Sequence, residues 1–357
     1  MTEASSAISH LSVAVTTKGI DKTQTTRENS ATSSSLIGGE LYWECAVILI
    51  GVVGTAGNAF ILYALVASKQ HKKHMLIVNQ NALDLFSSFF LVVTYVVKLC
   101  NVHLSGTAGY WLCVVILSEN LTFWGTNGSM VNLAIVTIDR YLKVVYPIRS
   151  RKWLRPCVIY SAMAFAWFAG IVYNVLIVFY TSAIIDGVCY VYTVFESNLA
   201  KTATTILYIS FFYFTILAIF IFCYGRILAA IRRQASVMAS HSTSASSTAQ
   251  IQSHQIQTNV IKTMILVSAF YATAWLPYNV YALLVCLMLI STQVFTGSAY
   301  YVTMFMGFLY TSANPFIYAT KLNPVRQILR KMICCRKSAI QATTSPCPAT
   351  RGNQALK

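Results

Sequence analysis

The chain has 357 residues, 56% of them hydrophobic and only 10% charged, with a mean hydropathy of +0.61. Soluble domains carry about a quarter charged residues, so this composition argues against a soluble enzyme and points to a polytopic membrane protein. The net charge of +16 is segregated loop by loop, which argues against a nucleic-acid-binding surface and reads as membrane topology.

Residues 1–39 are rich in Ser and Thr and lack apolar periodicity, so they read as a disordered extracellular tail. No basic start, apolar core and small-residue cleavage site marks a signal peptide within residues 1–30. Seven apolar segments follow, at Leu41–Ala67, Met75–Cys100, Tyr110–Val144, Leu154–Tyr180, Thr202–Ile231, Val260–Ile290 and Gly297–Thr320. Each is long enough to cross roughly 30 Å of hydrocarbon as a helix, and helices are required because lipid offers the backbone no partners. Lys69, Lys72 and Lys73 make one connection basic, Arg149, Arg151, Lys152 and Arg155 another, and Arg226, Arg232 and Arg233 a third. These loops, with the basic segment beyond Lys321, are expected in the cytoplasm and the N-terminus outside.

The expected fold is an all-α membrane protein, with residues 40–320 forming a seven-transmembrane helix bundle. Its third cytoplasmic loop, at about 232–258, is rich in Ser, Thr and Gln and reads as a solvated linker with sites for a kinase. Residues 321–335 are expected to form a short amphipathic eighth helix, with Val325, Ile328, Leu329 and Met332 on one face and Arg326, Arg330 and Lys331 beside it. Cys334 and Cys335 follow directly and are palmitoylation candidates that would pin this helix to the bilayer. Residues 336–357 read as a disordered cytoplasmic tail.

Polar groups within the spans need a reason, because an unpaired charge in hydrocarbon is expensive. Asp84 stands mid-way along the second span, and Asn58, Ser129 and Asn314 lie at comparable depth. The four suggest one internal cluster, which either holds water or a sodium ion or is a structural hydrogen-bond network. At the inner end of the third span, Asp139 and Arg140 sit side by side before Tyr141. Pro277 and Pro315 interrupt the sixth and seventh spans, where missing donors and ring clashes predict kinks suited to hinges of a two-state bundle. Among the few outer charges, Lys98 and Glu119 are expected to neutralise each other.

Together these residues resemble the rhodopsin-like (class A) G-protein-coupled receptors, over roughly Leu41 to Cys335. The motifs stand in order: Gly57-Asn58, Asn81-Ala82-Leu83-Asp84-Leu85, Asp139-Arg140-Tyr141 followed by Pro147, Trp167, Trp275-Leu276-Pro277, and Asn314-Pro315-Phe316-Ile317-Tyr318. The resemblance implies a plasma-membrane receptor that binds an extracellular ligand and activates a heterotrimeric G protein inside, with arrestin and receptor kinases as further partners. It implies that Asp139 holds Arg140 at rest, and that Arg140 meets Tyr224, Tyr318 and the G protein once freed. Ile148 would pack into the G protein, while Tyr271, Trp275 and Pro277 would form the switch of the sixth span. Asp84 and Ser129 match two ligands of the family's sodium pocket, with Asn314 beside them; no other cofactor is expected. Cys113 and Cys189 match the disulfide that ties the third span to the second extracellular loop.

The chain also departs from the family. Cys113 stands twenty-seven residues before Arg140, two more than usual, so the outer part of the third span is expected to be bulged or shifted. Ile216 replaces the proline of the fifth span, and Tyr271 the usual phenylalanine. Gln257 replaces the acid that often locks the arginine, and no Asp or Glu follows Glu196. Asp139 is therefore expected to hold Arg140 alone, with basal signalling as the result.

Thr122 stands where aminergic members carry aspartate and Phe308 where opsins carry the retinal lysine, which argues against either ligand. The pocket candidates are Lys98, Glu119, Thr122, Phe123, Trp275, Tyr278 and Phe308, and they leave a peptide, a lipid and a neutral small molecule open. A transporter or channel using Asp84 and Glu119 as an ion path is the competing class. A membrane enzyme lacks support, since no paired catalytic carboxylates, histidine cluster or nucleophile motif stands in the spans.

Overall fold

The computed structural model describes residues 28–191, 197–240, 248–287, 289, 298–321 and 325–328. The first span is α1 (Glu28–Ala67), the second α2 (Met75–Leu99) and the fourth α6 (Pro156–Thr181). The third is assembled from α3 (Gly106–Leu112), a π-helical turn at Cys113–Leu117 and α4 (Asn120–Val145), with α5 (Pro147–Trp153) after it. The fifth joins α7 (Asn198–Ile209), a second π turn at Ser210–Thr215 and α8 (Ile216–Ser240); α9 (Thr248–Cys286) and α10 (Ser298–Lys321) are the sixth and seventh.

Among the described residues, five stretches are long and apolar enough to cross a membrane: Leu41–Ala67, Met75–Leu99, Pro156–Thr181, Asn198–Gln234 and Ile261–Cys286. The third and seventh spans are more polar for a structural reason. α4 buries Thr122, Thr126, Asn127, Ser129, Asn132 and Thr137 against its neighbours, and α10 buries Thr311, Ser312 and Asn314. Large apolar side chains such as Tyr63, Phe168, Phe214, Ile221 and Phe316 stay exposed on the outside. Polar groups turned inward and hydrocarbon turned outward is the arrangement a bilayer demands.

The extra length of the third span is taken up locally. The π turn at Cys113–Leu117 is followed by Glu119 in the left-handed region, at φ 59°, as the cap of α4. The expected bulge is therefore a π turn plus a break, and α4 keeps its regular register down to Arg140.

Three features differ from the sequence-based reading. α1 begins at Glu28, inside the stretch read as a tail, and α8 and α9 run to Ser240 and from Thr248, into the stretch read as a linker. A hairpin of β1 (Ala183–Ile185) and β2 (Val188–Tyr190) interrupts the all-α scheme, pairing Ile184 with Cys189. Its turn is Asp186-Gly187, both at positive φ, the dipeptide that suits a tight two-residue hairpin. Of the expected eighth helix, residues 325–328 are helical, with Val325 buried in the core and Arg326 exposed. Leu329, Met332, Cys334, Cys335 and the side chain of Gln257 lie outside the described residues.

Candidate functional site

The C-terminal end of α4 carries the charge cluster. Arg140 Nε lies 3.5 Å from Asp139 Oδ2, and Lys143 Nζ lies 2.8 Å from Asp139 Oδ1. Among the described residues Asp139 is the acid paired with Arg140, and Lys143, one helical turn further on, reaches back to the same carboxylate and sits closer. Nearby, Ile148 is 86% exposed at the start of α5, and Pro147 helps line a cavity of about 100 Å³ with Lys143, Val144, Ile231, Gln234, Thr258 and Ile261. Tyr141 packs on Tyr146 and Phe222, with ring centroids 5.8 and 5.7 Å away.

Tyr224 is engaged elsewhere than at Arg140. Its hydroxyl is 3.0 Å from Thr137 Oγ1 on α4 and 2.9 Å from Ser268 Oγ on α9. One phenol thereby ties the third, fifth and sixth spans, and Tyr318 is buried in the same core cluster. Neither Thr137 nor Ser268 was singled out by motif; an isolated hydroxyl in an apolar span carries too weak a signal.

The cluster at Asp84 is real and larger than expected. Ser129 Oγ donates to Asp84 Oδ1 at 2.5 Å and Asn314 Nδ2 to Oδ2 at 2.8 Å. Gln80, one turn before Asp84, donates to Ser129 and lies 3.5 Å from Asp84 Oδ2 and 3.4 Å from the Tyr310 hydroxyl. The run Asn79-Gln80-Asn81 inside an apolar span was the signal for Gln80, since buried amides persist only when hydrogen-bonded. Asn58 bonds to backbone carbonyls. Its Nδ2 donates to the carbonyls of Gly54 and Thr311 at 2.9 and 3.0 Å. Thr311 is four residues before Pro315, whose missing N–H frees that carbonyl, so Asn58 satisfies it from the neighbouring span. Gly57 permits the approach: a Cβ there would lie 2.9 Å from the Pro315 ring.

The fifth and sixth spans are joined by tyrosine hydroxyls. Tyr271 donates its hydroxyl to the Phe212 carbonyl inside the π turn, and Tyr213 donates to the Ala272 carbonyl at 2.9 Å. The two phenols cross-link the spans reciprocally, so the π turn forms without the proline that Ile216 replaces. Around Pro277, the Trp275 carbonyl accepts from Asn279 Nδ2 at 2.7 Å. Trp275 packs edge-on against Tyr278, with centroids 5.9 Å apart.

Toward the other end of the bundle, Phe123, Tyr278 and Phe308 gather with Tyr95 in one apolar cluster. Phe308 lies 6.3 Å from Tyr95 and 6.4 Å from Phe123, centroid to centroid. Lys98 Nζ is 2.5 Å from Glu119 Oε1 and 4.3 Å above the Tyr95 ring, so the two outer charges do neutralise each other. Thr122 Oγ1 and Trp275 Nε1 are buried without a hydrogen-bond partner among the described residues. Above this cluster a disulfide joins Cys113 to Cys189, Cα to Cα 5.4 Å, and fastens the hairpin to the π turn of the third span. The Leu104 N–H donates to the Gly187 carbonyl at 3.0 Å, closing the hairpin against the preceding loop.

The fold recurs in a known structure, and the sequence has known relatives. A squid rhodopsin crystal structure superposes with a TM-score of 0.67 over 95% of this chain and 99% of that one, at 16% identity. Somatostatin receptor type 5 of Bos taurus is 26% identical over 331 residues, 87% of this chain and 82% of that protein. Galanin receptor 2b of Danio rerio is 25% identical over 80% of this chain and 73% of its own length. Melanopsin of Felis catus is 24% identical over 81% of this chain and 60% of its own. The model of the 7 transmembrane receptor (rhodopsin family) matches residues 57–318. With its motifs placed in space as described, the chain belongs to the rhodopsin family of seven-transmembrane receptors, a G-protein-coupled receptor and not an enzyme.

Proposed function

We propose that this receptor binds a peptide at the outer face of the plasma membrane, with its N-terminus outside, and passes the signal to a heterotrimeric G protein at the inner face. The observation that carries the inner half of this reading is the cavity between α4, α8 and α9, flanked by the exposed Ile148 and the Asp139–Arg140 pair. Spreading the inner ends of these helices enlarges that cavity, and the Thr137–Tyr224–Ser268 tie is what resists the spreading. A ligand that binds the spread form better shifts the bundle toward it.

The peptide reading rests on the likeness to somatostatin and galanin receptors, and on an outer cluster that offers aromatic surface with its two charges already paired. Retinal chemistry, which the melanopsin likeness brings to mind, needs a primary amine for its Schiff base. Phe308 supplies hydrocarbon instead. Arrestin and receptor kinases would act on the cytoplasmic segments rich in Ser and Thr, and acylation of Cys334 and Cys335 would fix the segment after α10 to the bilayer.

The test is a peptide panel applied to cells that express the receptor with a promiscuous G protein, alongside Arg140→Ala. An active peptide should trigger nucleotide exchange in the wild type and none in Arg140→Ala, with surface expression unchanged. A panel that fails while a lipid or neutral metabolite succeeds would replace the peptide reading, and undiminished signalling by Arg140→Ala would overturn the role of the inner cluster.

A further inference from the structure

The carboxylate of Asp84 stands at the end of a line of amides that begins on another span. Trp167 Nε1 donates to Asn79 Oδ1 at 3.0 Å, Asn79 Nδ2 to Asn132 Oδ1 at 2.9 Å, and Asn132 Nδ2 to Gln80 Oε1 at 2.8 Å. Gln80 Nε2 then meets Ser129 Oγ, and lies 3.5 Å from Asp84 Oδ2. Gln80 and Asn132 are fully buried and Asn79 is 5% exposed.

An amide can be turned over, exchanging its donor end for its acceptor end, unless its neighbours forbid it. Here they forbid it. An indole nitrogen only donates, so the Asn79 atom that faces Trp167 is oxygen. The NH₂ of Asn79 therefore faces Asn132, which must present oxygen, and the NH₂ of Asn132 must face the oxygen of Gln80. The Leu76 carbonyl, which only accepts, fixes Asn132 a second time at 3.0 Å from its Nδ2. The N–H end of Gln80 is thereby compelled to point at Ser129 and Asp84.

This bears on the sodium ion that the family likeness implies. A hard cation takes oxygen ligands. Ligation by Asp84 and Ser129 together requires the place that Gln80 Nε2 occupies against both. Turning Gln80 over would offer an oxygen, but it sets two NH₂ groups face to face at Asn132. Correcting that clash by turning Asn132 and Asn79 ends with two donors opposed at Trp167. The residues present do not fit the ion.

We propose that Gln80, held by the amide line from Trp167, supplies as a fixed N–H dipole the partner to Asp84 that a cation would otherwise supply, so that the resting bundle is insensitive to sodium. The test is thermal unfolding of the purified, ligand-free receptor in detergent, titrated with sodium chloride against choline chloride at constant ionic strength. It needs neither ligand nor G protein, so its outcome is independent of the peptide and coupling readings. The wild type is expected to melt at the same temperature in both salts. Gln80→Leu, which removes the N–H and leaves oxygens facing the vacated space, is expected to gain a saturable upward shift with sodium. A saturable, sodium-specific shift in the wild type that Asp84→Asn abolishes would overturn the proposal, however the variant folds. So would a folded Gln80→Leu receptor that stays insensitive.

Discussion

Replacing Lys143 with glutamine should quieten the ligand-free receptor. Lys143 Nζ lies 2.8 Å from Asp139 Oδ1, whereas Arg140 Nε stands 3.5 Å from Oδ2, longer than the 2.7–2.9 Å or so of a strong charge-assisted bond. The lysine therefore draws on the same anion that restrains the arginine. Two unit charges at that separation attract by about 6 kcal/mol gross at an effective dielectric constant of about 20. The Lys143 side chain is 39% exposed, so solvent and rotamer entropy reduce the net value to about 0.5–1 kcal/mol. Returning that share of Asp139 to Arg140 favours the resting form by up to about fivefold. The assay is basal nucleotide exchange on membranes at matched receptor number. Lys143 also lines the inner cavity, so a double-mutant cycle is needed to separate the two effects. Asp139→Asn should raise basal exchange by itself, and Lys143→Gln should then add nothing. An equal drop in both backgrounds, or a rise in the single mutant, would refute competition for Asp139.

Ser268→Ala removes one of the two hydroxyls that hold Tyr224, at a cost near 1 kcal/mol to the tie; basal exchange should rise about fivefold, and no change would show the tie to be idle. Cys113→Ser opens a disulfide that spans 76 residues, worth about 4 kcal/mol by loop closure; surface delivery measured by antibody labelling of intact cells should fall sharply, and a normal level would refute the anchoring role of the hairpin. Tyr271→Phe deletes the bond from the sixth span to the Phe212 carbonyl; the melting temperature should drop, by an amount set by leaving a buried carbonyl unpaired, about 1–3 kcal/mol. His74, just before α2, has its pKa pushed from 6.5 down to about 4, first by burial and then by the charges of Arg140, Lys73 and Lys143. The unfolded chain thus takes up a proton that the folded one refuses, so the stability held above 6.5 is lost progressively as pH falls toward about 4. Melting temperatures between these limits should decline in the wild type and decline less in His74→Asn, and parallel slopes would refute the assignment.

Much of the fold was legible in the chain because the bilayer is a severe solvent: seven apolar segments and basic connections leave few alternatives to a helical bundle. The Lys98–Glu119 pair and the Asp84 cluster were legible for a related reason, since isolated polar groups in that setting must find one another, while the disulfide was implied by the family resemblance. The two-residue excess before Arg140 announced a bulge in the third span. It did not announce that a π turn and a left-handed Glu119 would absorb the excess.

Other features were decided only by the tertiary structure. Sequence spacing places Lys143 one turn from Asp139, but only the geometry makes it the nearer partner. Asn58 was grouped with Asp84 by depth alone; the structure adds that its Nδ2 bonds the carbonyl freed by Pro315 on a different helix. Tyr224 had a family role but no resting partner until Thr137 and Ser268 were brought to it. Above all, the chain determined by itself that amides would be buried in the second span, because they stand there in an apolar run. Which way each amide points depended on Trp167, 88 residues from Asn79 in sequence. A donor-only group that orients its neighbours acts through space, and no local pattern along the chain records that contact.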